Sequence, residues 1–212
     1  MTEWKYGDAW ERFPILPGEV WRAGTGRVAV HDIFEPLPAF VTDADLMFVD
    51  PPWNLGNLNC FYTKAGRTDY QTDFGRFAGR LFECVAEIAP ATCYIEIGRQ
   101  NVDDWQARLA TLYPLVERWD VVYYRKHPTC IIRGSDAPAM VDLTGMDEAD
   151  CIDLVARVEG YKVIGDLCMW RGLVGVAAFR AGRSFVGTEL NQRRLACLLD
   201  KIARRGGEVA RL

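Results

Sequence analysis

Short apolar runs alternate along the chain with longer segments whose apolar residues recur at helical spacing. That alternation predicts an α/β fold, a mostly parallel twisted sheet with helices on both faces. Residues 27–31, 46–49, 92–97, 118–124, 129–132, 162–165 and 184–188 read as seven strands. Phe74, Phe77, Leu81, Phe82, Val85 and Ile88 fall on one face of a helix over 73–89, which Pro90 stops. Further helices are expected over 102–112, 147–158, 173–181 and 192–205. The stretch 133–145 is rich in Gly, Ser, Pro, Asp and Thr and reads as a loop.

These elements fill the 212 residues, so one domain over 1–212 is expected. Half the residues are apolar and 25% are charged, which is globular composition. No apolar run is long enough to span a bilayer. Residues 1–10 are polar and acidic, unlike a signal peptide, so a cytoplasmic protein with no membrane partner is expected. The seven cysteines include no C-x-x-C pair, and there are two histidines. Reduced thiols and no metal site are therefore expected. The net charge of −4 opposes strong nonspecific binding to nucleic acid but leaves room for a local basic strip.

The segment Val49-Asp50-Pro51-Pro52-Trp53-Asn54 directly follows a strand. In an open α/β sheet this is the rim where ligands bind. The two prolines fix φ and remove two N–H donors, which leaves a stiff turn with carbonyl acceptors. Methylating an aromatic amine needs such acceptors, because the nitrogen lone pair is delocalised into the ring. A carboxylate at Asp50 and the Pro51 carbonyl can draw on the two N–H bonds and localise that pair. Trp53 can stack on the base, and Asp50 can stabilise the charge that develops.

The Asp50-Pro51-Pro52-Trp53 run resembles the catalytic motif of the S-adenosylmethionine-dependent amino-methyltransferases that act on adenine in nucleic acids. A later segment, from Val163 to Gly175, resembles the donor-binding motif of the same families. Asp166 matches its acidic strand end, Gly172 its second glycine, and Leu167, Cys168 and Met169 the turn between them. Trp170 stands where the family usually has glycine, so its side chain must point away from the donor or the pocket is altered. Glu189, followed by Leu190 and Asn191, ends the next strand, where the resemblance implies an acidic residue on the donor ribose. His31-Asp32-Ile33-Phe34 resembles the segment whose Asp faces the donor adenine.

The catalytic motif precedes the donor motif, the circularly permuted order of the β group of DNA amino-methyltransferases. The resemblance implies a Rossmann-like methyltransferase fold, S-adenosylmethionine as methyl donor, and DNA as partner with a flipped adenine methylated at N6. It suggests a bacterial, phage or mobile-element enzyme, in a restriction-modification or orphan role. RNA, or cytosine N4, remains open as target, and so does an amide acceptor in a protein or small molecule. So does a catalytically silent nucleic-acid-binding partner, because Trp170 could plug the donor pocket. Target recognition is expected in the short segment 126–150, with Lys126 and Arg133. A second basic patch combines Lys64 and Arg67 with Tyr62 and Tyr70. A segment this short implies a short or degenerate target, a homodimer, or a partner that supplies specificity.

Overall fold

A computed structural model describes residues 6–68 and 70–212; residues 1–5 of the polar N-terminal stretch lie outside it. The strands are β1 (Val20–Ala23), β2 (Gly26–Val30), β3 (Leu46–Val49), β4 (Thr92–Ile97), β5 (Leu115–Tyr123), β6 (His127–Ser135), β7 (Val163–Asp166), β8 (Ser184–Glu189) and β9 (Val209–Arg211). The helices are α1 (Ala9–Arg12), α2 (Leu55–Lys64), α3 (Phe74–Ile88), α4 (Val102–Leu109), α5 (Glu148–Val158), α6 (Leu173–Arg180) and α7 (Gln192–Ala203).

Among the described residues, nine strands form one sheet in the order β5-β6-β4-β3-β7-β8-β2-β1-β9. The central five, β4-β3-β7-β8-β2, are parallel. Antiparallel pairs extend both edges. The seven expected strands are all present, and β1 and β9 are additions to that count. Both additions are short strands at one side of the sheet, β9 at its edge and β1 between β9 and β2, and they lack the continuous buried apolar run that marks the centre.

Side chains alternate strictly between two cores. Leu46, Phe48, Tyr94, Ile131, Ile164 and Phe185 pack on one face beneath α5, α6 and α7. Met47, Val49, Cys93, Ile95, Ile132 and Val186 pack on the other beneath α2, α3 and α4. This period of two on a doubly covered sheet is why the central strands read as continuous apolar runs.

Helix α3 matches its expected span: Asp73 caps its start by accepting from Arg76 N, and Ala89 ends it in a left-handed conformation. Helix α2 escaped the pattern because Gly56, Asn57 and Asn59 are poor helix formers. Asn54 caps it by accepting from Asn57 N. Strand β6 is longer than expected and includes Arg133. About half of the segment 126–150 is therefore strand and helix, and the loop that remains within it runs over 136–147. No helix among the described residues is long and apolar enough to cross a membrane.

Candidate functional site

Strands β3 and β7 are neighbours in the sheet, and their connections depart in opposite directions, β3 towards β4 and β7 towards β8. Such a reversal opens a crevice beyond the carboxyl ends. Asp50 leaves β3 at this crevice, Asp166 ends β7 and Glu189 ends β8. All three are buried, together with Pro51 and Pro52.

The Asp50 turn is held from several sides. Trp53 Nε1 donates to Asp50 Oδ1 at 3.2 Å. Asn101 Nδ2 donates to the Trp53 carbonyl at 2.6 Å. The Trp53 ring meets Tyr123 edge-on, with centroids 4.8 Å apart. Burial pushes the Asp50 carboxyl well above the usual carboxylate range, and the charges of Glu148 and Asp166 push it further. Burial likewise raises Asp166, against a hydrogen bond from Cys168 N to its Oδ1 at 2.9 Å.

Asp32, Ile33, Cys168, Glu189 and Leu190 line one cavity beside this turn, together with Phe61, Tyr62, Trp170 and Arg194. The sequence-derived donor set thus converges, but not every member faces the cavity. Leu167 is buried in the core, and its carbonyl accepts from Thr188. Met169 is also in the core, although it borders a second cavity. Asn191 caps α7 and donates to the Lys64 carbonyl, locking α2 to α7. Gly172 has φ +73°, and a Cβ there would lie 2.5 Å from Leu198 Cδ1, so this turn requires glycine.

Trp170 does not point away. It sits at φ +50°, uncommon for a residue with a bulky side chain. Its backbone N–H donates to Glu189 Oε2 at 2.7 Å, and its indole Nε1 donates to the Asp50 carbonyl at 3.0 Å. The ring meets Phe61 edge-on at 4.3 Å, and the Arg194 guanidinium lies 4.3 Å from its centroid. Trp170 therefore borders three cavities at once: the Glu189 cavity, one of ≈ 270 Å³ lined by Asp50, Glu148 and Lys201, and one beside Trp53 and Asn57.

The substrate residues separate more. Tyr62 is buried and donates to Asp32 Oδ1 at 2.9 Å, so it belongs to the cavity wall rather than to an exposed basic patch. Lys64 ends α2 half-buried, and Arg67 is exposed beyond it. Arg133 is not at the surface: it is 3% exposed and donates to Glu117 at 2.8 Å and to the Ala137 carbonyl at 2.7 Å. It also pairs with Glu159 at 3.4 Å. Its charge is consumed inside the protein. Lys126 is exposed at the tip of the β5–β6 hairpin, next to Tyr124, which is 61% exposed and lines the ≈ 270 Å³ cavity. Tyr124 and Arg125 both have positive φ at this tip.

The sequence reading missed Tyr123, Tyr124, Arg194, Glu96 and Glu148. Glu96 carried a signal: it is the one charged residue in an otherwise apolar strand. Arg194 gave none, since an arginine early in a helix usually faces solvent.

No protein-family model and no curated protein matches the chain. Solved structures share its fold. The crystal structure of M1.HpyAVI superposes with a TM-score of 0.56 at 11% identity, covering 84% of this chain and 98% of that one. A putative DNA modification methylase from Thermus thermophilus, complexed with S-adenosyl-L-methionine, gives 0.52 at 16% identity, covering 93% and 91%. The PvuII DNA methyltransferase, described as cytosine-N4-specific, gives 0.50 at 11% identity, covering 88% and 94%. At these identities the likeness is one of fold: a Rossmann-like methyltransferase fold.

Proposed function

We propose that this chain transfers a methyl group from S-adenosylmethionine to the exocyclic amino group of a DNA base, with N6 of adenine as acceptor. The observation that carries this reading is the contact between the Asp50 turn and the Glu189 cavity at the β3–β7 crevice, joined through Trp170. The solved neighbours described as DNA methyltransferases or methylases, one of them holding S-adenosylmethionine, support it.

The polar groups suit such a donor. The Glu189 carboxylate can accept from vicinal hydroxyls, Asp32 offers an acceptor across the cavity, and Phe61 and Leu190 supply apolar walls. The donor supplies an electrophilic methyl group on a sulfonium. Space is divided by the Trp170 indole, so donor entry requires that side chain to swing out of the crevice. Asp50 then accepts from one N–H of the base amine and the Pro51 carbonyl from the other, Trp53 stacks on the ring, and Asp50 stabilises the developing positive charge. The hairpin tip, with exposed Tyr124 and Lys126, is the candidate contact for the nucleotide and its phosphate. Adenine rests on the resemblance of Asp50-Pro51-Pro52-Trp53 alone.

The test is transfer of labelled methyl to mixed-sequence DNA, with RNA and cell protein in parallel, followed by nucleoside mass spectrometry. N6-methyladenine in the DNA tube is expected. N4-methylcytosine there, or label only in RNA, would reassign the acceptor and keep the reaction class. A second reading, a silent nucleic-acid-binding subunit, draws on the Trp170–Arg194 stack inside the donor cavity. No label in any tube and no donor binding by calorimetry would favour it instead, and retained DNA binding by the same protein would support it.

A further inference from the structure

We propose that Asp50, Glu96 and Glu148 form a binding site for a hard divalent cation where β3, β4 and the first turn of α5 meet. The three residues are far apart along the chain, and each comes from a different element. Phe48 and Tyr94 mark the α5–α6–α7 face of the sheet, and Asp50 and Glu96 lie two residues further on in strand register, above that same core. All three carboxylates are buried, and one oxygen from each lies within 4.8 Å of the others. Oxygens around a cation of calcium size are at most about 5 Å apart, twice the metal–oxygen distance. One central ion can therefore reach all three.

Glu96 is the independent sign that something is meant to bind. It is fully buried, and neither of its oxygens has a hydrogen-bond partner among the described residues. Buried carboxylates are ordinarily paired, because an uncompensated buried charge is costly. The charges that act on Glu96 come from Asp50, Glu148 and Asp147, all acidic. Arg194 acts on Asp50 but does not reach this cluster as an ion-pair partner; its own ion pair is with Glu189. No cation among these groups offsets the carboxylate charge, so it is relieved either by protons or by a bound cation. With oxygen donors only and no His or Cys in the cluster, the ligand chemistry suits Mg²⁺, Mn²⁺ or Ca²⁺ rather than zinc. The adjoining ≈ 270 Å³ cavity, lined by Asp50 and Glu148, provides an entry path and room for waters to complete the shell. An ion here would tie β3 and β4 to α5 and hold the Asp50 carboxylate in place.

The experiment reads metal binding, not methyl transfer, so it stands or falls separately from the proposed reaction. Chelator-treated protein is titrated with Mn²⁺ at pH 8, with free Mn²⁺ followed by electron paramagnetic resonance and Mg²⁺ and Ca²⁺ as competitors. Thermal unfolding is run with and without each ion. One equivalent should bind with a dissociation constant of about 1 mM or tighter, and the ion should raise the melting temperature. Glu96→Gln should weaken binding by roughly tenfold or more. It should fold, because it keeps the shape and removes a buried charge, and its metal-free melting temperature should equal or exceed wild type. Glu148→Gln, at the cavity edge, gives the same comparison if Glu96→Gln is insoluble. No saturable binding up to about 5 mM, or binding left unchanged by the substitution, overturns the proposal and leaves three carboxyls sharing protons.

Discussion

The indole Nε1 of Trp170 donates to the main-chain carbonyl of Asp50 at 3.0 Å, across the crevice between the turn after β7 and the turn after β3. The same residue gives its backbone N–H to Glu189. One side chain thus couples the two segments that resemble catalytic and donor motifs, while filling the space between their cavities.

Trp170→Gly should open that space. Glycine adopts φ +50° without strain, which relieves about 1–2 kcal/mol in the turn. If the indole must leave before the donor enters, the substitution should tighten S-adenosylmethionine binding by roughly tenfold, about 1.4 kcal/mol. Calorimetry on both forms decides it; weaker binding by the variant would make Trp170 part of the donor site instead of a plug.

Asp50→Asn should reduce methyl transfer by roughly 100-fold or more while leaving the fold intact. The ionised carboxylate is the better acceptor and charge stabiliser, and burial raises its pKa well above the ordinary range. In wild type, kcat/KM should therefore climb with pH beyond the range where exposed carboxylates have finished titrating. A profile flat from weakly acid to weakly alkaline pH would remove Asp50 from the chemistry.

Stability should show the opposite slope. Burial, aided by the Asp147 charge, pushes Glu148 from 4.5 to about 7. A group whose folded pKa is raised binds its proton more tightly when folded, so its contribution is present below about 4.5 and lost as pH rises through about 7. Asp50 and Glu96 are raised as well and act in the same direction. Metal-free melting temperatures measured across this window should fall for wild type and fall less for Glu96→Gln. Equal slopes would mean that Glu96 does not titrate with this cluster.

Arg133→Ala should destabilise the protein by about 3–5 kcal/mol, since it leaves buried Glu159 and half-buried Glu117 without their cation. Chemical denaturation measures this. DNA affinity of the folded fraction should not change, because Arg133 is only 3% exposed; a selective loss of DNA binding would restore it to the interface.

The hairpin tip should behave in the reverse manner. Tyr124→Ala should weaken single-stranded or flipped-base binding by about 1–3 kcal/mol if the ring stacks on a base. Lys126→Ala should lower affinity uniformly across sequences and reduce its salt dependence. Fluorescence anisotropy at two salt concentrations separates these effects. Both variants should melt like wild type, because both side chains are exposed.

The central strands and α3 were legible because double burial writes itself as apolar runs and helical spacing. Residues 46–49 and 92–97 were legible as strands to the residue. Strands β1 and β9 and helix α2 were not, since the β1–β9 pairing joins the two ends of the chain and α2 depends on one cap. The Asp50 turn and Glu189 were legible for a related reason: in this fold, residues just after parallel strands must meet at one rim.

What sequence by itself determined is the order of strands and helices, and with it the arrival of Asp32, Asp50, Asp166 and Glu189 at the same end of the sheet. Local patterning suffices for that, because burial period and strand polarity are local properties. Tertiary structure alone decided the direction of each side chain at that end. It turned Trp170 into the crevice, drew Arg133 and Tyr62 inward, and brought Glu96 and Glu148 up to Asp50. Those outcomes depend on charges and volumes contributed by elements far apart in the chain, which only packing brings within reach of one another.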